Sequence, residues 1–215
     1  MANVFHLHLD ELNELLVDMA RQVGEAIGKA GTALLEADAS AAEEVVQADQ
    51  EINALHFRID DRVVELMTRY EPVAADLRFV LGAVRNSVDL ERMGDLAKHV
   101  AKIVLMRAPA TAIPQSLHAD FEAMAAAAAR ISEKLVDILA DRDRLQATQL
   151  SLDDDELDVL QQRIHDQLPD LPYNPQVAVD AALLARFFER YGDHAVRIAH
   201  QVVYHVTGDV RLDRS

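Results

Sequence analysis

The chain has 215 residues, half of them hydrophobic, with seven glycines, six prolines, no tryptophan and no cysteine. That length suits one large domain or two small ones, and the scarcity of Gly and Pro beside abundant Ala and Leu favours helices over sheets. The formal charge of −16 argues against nucleic-acid binding and against electrostatic attachment to a membrane, and without thiolates any metal must take oxygen or nitrogen ligands.

In chain order the pattern predicts six helices. Phe5, Leu9, Leu12, Leu16, Met19 and Val23 step by 4, 3, 4, 3, 4, the seam of a long amphipathic helix that continues to about Leu35. Ser40-Ala41-Ala42-Glu43 reads as a capping box opening a second helix. Its stripe is Val45, Ile52, Leu55, Ile59, Val63 and Leu66, and Glu71-Pro72 stops it near Tyr70. Pro72 is expected in the first turn of a third helix, which has Leu77, Leu81, Val84 and Val88 as its core-facing seam and runs to about Arg107. Ala108 to Ser116, with Pro109 and Pro114, is the linker region. A fourth helix covers about Leu117 to Ala140, and Asp143 caps a fifth that reaches about Leu168. Pro169 to Pro175 forms a turn, and Asn174-Pro175 opens a sixth helix that ends near Thr207 and Gly208.

The second half repeats the first. Glu91-Arg92-Met93-Gly94-Asp95 returns 98 residues later as Glu189-Arg190-Tyr191-Gly192-Asp193. Before the turn the offset is 105 (Asp49 with Asp154), so seven residues, about two helical turns, are missing around the second hairpin. The expected fold is all-α, two tandem antiparallel three-helix bundles: residues 1–108 and 113–208, joined by a linker at 109–112.

In each copy a Glu and an Asp stand four residues apart and share one helix face. Asp49 and Asn53 on the preceding helix have the same spacing, as do Asp154 and Asp158. In an antiparallel hairpin the numbers of facing residues add to a constant. The sum is 144 for Asp49 with Asp95 and for Asn53 with Glu91, centred on the first turn; it is 347 for Asp154 with Asp193 and for Asp158 with Glu189, centred on the second. Two clusters are therefore expected: Asp49, Asn53, Glu91 and Asp95, then Asp154, Asp158, Glu189 and Asp193. Crowded carboxylates raise one another's pKa, and a hard cation relieves the repulsion. Oxygen ligands suit Mg, Ca, Mn or ferric iron. The other reading is that the acids pair with basic side chains, Arg92 and Arg190 being nearest in sequence. The second cluster should bind metal more tightly, because Asn53 gives the first an uncharged amide. Gly94 and Gly192 inside helices call for a local reason, such as close approach of a helix or an ion. His56, His99 and His194 lie near the acids as further candidate ligands. No nucleophile triad, P-loop or dinucleotide motif is present.

Pro72-Val73-Ala74-Ala75-Asp76-Leu77-Arg78, Asp89-Leu90-Glu91-Arg92-Met93-Gly94-Asp95 and Glu189-Arg190-Tyr191-Gly192-Asp193-His194-Ala195 resemble the signature segments of the PhoU proteins, over nearly the whole chain. The resemblance implies a cytoplasmic, non-enzymatic, negative regulator of phosphate uptake and of the phosphate-starvation response. It would be a homodimer that links the ATPase of a phosphate ABC transporter to a sensor histidine kinase, without binding nucleic acid or inserting in the membrane. It also implies metal ions (Fe, Mn, Mg or Zn) at the two acidic clusters. Two rival readings stand beside it: a metal-dependent hydrolase or oxidase using the same acids, and a metal-free helical scaffold.

Overall fold

A computed structural model describes residues 2–171 and 174–208. Six long helices run α1 Ala2–Glu36, α2 Ala39–Tyr70, α3 Ala74–Arg107, α4 His118–Asp141, α5 Arg144–Gln167 and α6 Pro175–Thr207. Short 3-10 turns at Gln115–Leu117 and Leu168–Asp170 precede α4 and follow α5, and no strand occurs among the described residues. No helix here is long and apolar enough to cross a membrane.

Local chemistry sets most boundaries. Asp143 Oδ1 accepts from the backbone N–H of Leu145 and Gln146, and Asn174 Oδ1 accepts from that of Gln176 with Pro175 as first helical residue, as the sequence predicts. Two expectations are corrected. The second helix is capped by Asp38, whose Oδ1 takes the N–H groups of Ser40 and Ala41, so Ser40 is already inside the helix. Pro72 lies before the third helix, which begins at Ala74 after an extended Val73. Pro172 and Tyr173, in the middle of the predicted second turn, lie outside the described residues. The missing residues come mainly from one helix: α2 has 32 residues and α5 has 24, while α3 and α6 have 34 and 33.

Within each repeat the three helices pack as a bundle, and the two bundles join through α1 against α4 and α3 against α6; α2 and α5 stay outside, each on its own repeat. The buried residues form one contiguous core from Leu9 to Val203. Where α1 meets α4 the surfaces are lined by small residues: a Cβ on Gly31 would stand 2.8 Å from Ala125 Cβ, and one on Gly24 3.0 Å from Ser132 Cβ. The α3–α6 seam is held by polar pairs. His194 Nδ1 lies 2.7 Å from Asp89 Oδ1, and Arg107 grips Asp180 with two hydrogen bonds.

The predicted seam of α3 is also corrected. Leu81 and Val88 are 47% and 43% exposed, on an outward face. The buried side of α3 is a broad strip that includes Val80, Ala83, Asn86, Ser87, Leu90, Met93, Gly94 and Ala97. A helix covered by α1, α2 and α6 at once buries most of its girth, and close approach on that many sides selects small residues.

Candidate metal centre

Asp49 and Asp95 meet at one ammonium and Asp154 feels the charges of Asp158, Glu189 and Asp193, yet the two clusters differ in kind. In the first, Asp49 is buried on α2 and Glu91 and Asp95 are half-buried on α3. Between them stands Lys98, one turn beyond Asp95. Its Nζ donates to Asp49 Oδ2 at 2.8 Å and to Asp95 Oδ1 at 2.6 Å. Asn53 Nδ2 donates to the same Asp49 oxygen at 3.0 Å, so the amide serves the carboxylate rather than an ion. Arg92 approaches Glu91 and Asp95, each at 3.6 Å. Burial pulls the Lys98 ammonium down, but the hydrogen bonds it donates to Asp49 and Asp95, with their charges, together outweigh burial and hold it above its usual range.

The second cluster has no such cation at its centre. Val196 occupies the place of Lys98 in the repeat. Asp154 Oδ1 and Glu189 Oε2 are buried and find no hydrogen-bond partner among the described residues. Burial, then the charges of Asp193, Asp158, Glu189 and Asp155, push the Asp154 carboxyl up to about 7. Burial followed by Asp193 also raises Asp158 and Glu189, although Arg186 at the rim opposes both shifts and is hydrogen-bonded to Glu189. This is the pattern of acids crowded without compensation.

The two glycines part company in the same way. A Cβ on Gly192 would lie 1.9 Å from Asp154 Oδ1 and 2.8 Å from Leu157 Cδ1. Gly192 thus makes the notch in α6 that admits the Asp154 carboxylate. A Cβ on Gly94 would meet the Ile52 side chain first, at 3.1 Å, a tight helix–helix approach with no acid among its nearest atoms.

The histidines are placed elsewhere. His56 faces Ser87 and Asp60, His99 lies beside the Phe187 ring, and His194 pairs with Asp89. Lys98 is the residue that the reading of acid spacings passed over. Its signal was present: it is one turn past Asp95, and in the second half its place is taken by an apolar residue.

Among the described residues no three acids or histidines converge as a ready cage for an ion. The donor set of the second cluster nevertheless fits a hard cation, since two buried carboxylate oxygens lack partners and the acids repel one another. As built, the first cluster does not fit one, because the Lys98 ammonium already lies between Asp49 and Asp95.

Two long-helix bundles, internally repeated and joined back to back with an acidic cluster on each, define the double three-helix class to which the sequence signatures pointed. The PhoU domain family model matches residues 16–104 and 121–202, and the chain belongs to that family. It is 36% identical over 210 residues to "phosphate-specific transport system accessory protein PhoU homolog 2" of Mycobacterium tuberculosis, covering 97% of this chain and 99% of that one. It is 37% identical to homolog 1 of the same organism, covering 97% and 95%. The crystal structure of PhoU from Pseudomonas aeruginosa superposes with a TM-score of 0.87 at 26% identity, covering 95% of this chain and all of that one. The regulatory protein PhoU from Streptococcus pneumoniae gives a TM-score of 0.85 at 25% identity, over 96% and 98%.

Proposed function

We propose that this chain is a cytoplasmic regulator of phosphate uptake that represses the phosphate-starvation response when phosphate is plentiful. The reading is supported above all by similarity along the whole chain to proteins named as accessory to phosphate-specific transport. As the family resemblance implies, it acts by docking, as a homodimer, between the ATPase of a phosphate ABC transporter and a sensor histidine kinase. A stiff, acidic, largely loop-free body suits docking better than catalysis, and its charge steers it to basic patches on partners. Deleting the gene and measuring phosphate-responsive transcription at high phosphate tests this. Derepression that the wild-type gene reverses is expected; unchanged transcription, in a strain with no second family member, would end the regulatory reading.

The metal belongs to the second cluster. Asp154, Asp158, Glu189 and Asp193 would hold a hard di- or trivalent cation such as Fe, Mn or Mg, whose charge would compensate the crowded acids and lock α5 to α6. The partnerless oxygens of Asp154 and Glu189 support this most directly. At the first cluster a metal would have to displace Lys98. Elemental analysis of the purified chain, with thermal melting before and after chelation, is the test. A chain with no bound metal and a melting point indifferent to added Mn or Mg would favour the metal-free scaffold.

A further inference from the structure

The outer helix α5 packs inward through Ala147, Leu150, Leu157, Leu160 and Ile164, yet it carries a second apolar line on its far side. Leu145, Leu152 and Val159 recur every seventh residue and are 80%, 65% and 60% exposed. A seven-residue step drifts only about 20° round an α-helix, so the three form one line about 21 Å long. Among the described residues α5 packs on α4, α6 and the turn that follows it, and these leave the line uncovered. Single exposed apolar residues are ordinary on a protein surface. Three in heptad register make the kind of seam by which one helix meets another.

Charge along α5 says which helix that is. Residues 144–152 hold no acid and one cation, Arg144, whereas residues 153–158 hold Asp153, Asp154, Asp155, Glu156 and Asp158. A parallel copy would set the acidic half against itself, and like charges on facing helices repel. An antiparallel copy sets it against the acid-free half. Facing residues then have numbers that add to a constant. With that sum at 304, Leu152 meets Leu152 on the two-fold axis and Leu145 meets Val159. The same register puts Asp155 opposite Gln149, Glu156 opposite Thr148 and Arg163 opposite Asp141, and no acid faces an acid from Asp141 to Arg163. Arg163 is exposed and loosely held by Asp120 at 3.3 Å, so it can turn to a new partner. A contact of α5 with itself also closes on two copies. A contact with the exposed Phe57 and Val64 on α2 would leave a free end on each copy and grow a filament.

We propose that two copies of this chain join through α5, antiparallel about Leu152. The proposal rests on the homodimer of the reading above and assigns its surface. It leaves α2 away from the contact. It also sets the second acidic cluster of each copy beside the interface, because α5 contributes Asp154 and Asp158 to that cluster.

The test is analytical ultracentrifugation of the full chain. A dimer is expected, with Leu145→Glu and Leu152→Glu each weakening it about tenfold or more, since each puts a charge into the seam. Phe57→Glu, on the outward face of α2, should not weaken it. All three positions are exposed, so the variants keep the monomer fold, which circular-dichroism melts check. Cysteine variants give a second reading without adding charge, because the chain has no cysteine of its own. Leu152→Cys should be joined to its own copy by a short bis-maleimide. Leu145→Cys mixed with Val159→Cys should join as a mixed pair and neither with itself, because like positions lie about 21 Å apart in this register. Self-joining of Leu145→Cys would overturn the antiparallel register. A dimer that survives both glutamate variants on α5 would overturn the surface and leave the homodimer standing on another face. A chain that stays monomeric at about 100 µM, a weak dissociation constant for a specific contact, would remove the surface and the homodimer together. The transcription assay tests the regulatory reading on its own in every case.

Discussion

The two acidic clusters share a backbone frame and differ in what neutralises them. In the first, the chain supplies its own cation: Lys98 is hydrogen-bonded to Asp49 and Asp95, and Arg92 lies at the rim. In the second, four acids crowd together with Arg186 at the edge, and two buried oxygens have no partner among the described residues. A tethered ammonium needs no ligand to be recruited, so it holds the α2–α3 hairpin closed under every condition. An untethered cation, as proposed for the second cluster, would make the α5–α6 hairpin depend on what the surroundings provide. On that proposal one half of the molecule would serve constancy and the other response, although both halves share one repeat.

The sharpest way to break this comparison is to remove one acid from each side. Asp193→Asn is expected to lower the metal retained by the purified chain by at least about tenfold in affinity, or about 1.4 kcal/mol, whereas Asp95→Asn should leave it nearly unchanged. Mn titration followed by elemental analysis reads both. Equal losses would mean that the first cluster holds metal despite its lysine.

Lys98→Met comes next. It leaves Asp49, 8% exposed, and Asp95 facing each other without their cation, which should cost about 2–3 kcal/mol in metal-free buffer. Added Mn or Mg should restore much of that loss, since the vacated place resembles the second cluster. Urea denaturation with and without metal makes the measurement. A loss that no metal repairs would mean that Lys98 acts by packing alone.

The glycines give a smaller, opposite pair of effects. Gly94→Ala has the Ile52 side chain to push aside, by a few tenths of an ångström from the 3.1 Å approach. It gains up to about 1 kcal/mol of helix propensity, so it should be neutral or slightly stabilising. Gly192→Ala drives a methyl into Asp154 and Leu157 and should destabilise by about 1–3 kcal/mol. Thermal melts of the two variants side by side decide this.

What the sequence alone revealed follows from where the signal resides. Helix number, the caps at Asp143 and Asn174, and the opposed acids were legible because spacing and turn chemistry are local or follow from hairpin symmetry. The α3 seam was not. Leu77, Leu81, Val84 and Val88 keep a clean heptad-like step, but the true buried strip is rich in Ala, Gly, Ser and Asn, which a search for large apolar residues overlooks. Ser40 drew attention from Asp38 because either spacing before α2 makes a plausible cap. Lys98 was missed for a different reason. Acid spacings invite a metal, and a basic residue one turn away looks like surface decoration until its Nζ is placed between two carboxylates.

The last effect is in pH. Asp154 has its carboxyl raised from 3.8 to about 7 in the folded chain, by burial first and then by Asp193 and its neighbours. Between those values the folded state binds a proton that the unfolded state has lost. Stability contributed by this group is therefore complete below pH about 4 and declines as pH rises through about 7. The first cluster should add no matching slope there, because Lys98, held above its usual range, stays charged throughout. In chelator-treated protein the denaturation midpoint should thus fall from about pH 5 to pH 7 more steeply in the wild type than in Asp154→Asn, after the common background of other groups is subtracted. Bound metal should flatten the wild-type curve, because a cation holds Asp154 ionised in the folded state and removes the excess proton. A midpoint that rises over this range in the wild type relative to Asp154→Asn would reverse the sign and show that Asp154 is compensated in the free protein. The contrast between the two clusters would then be lost.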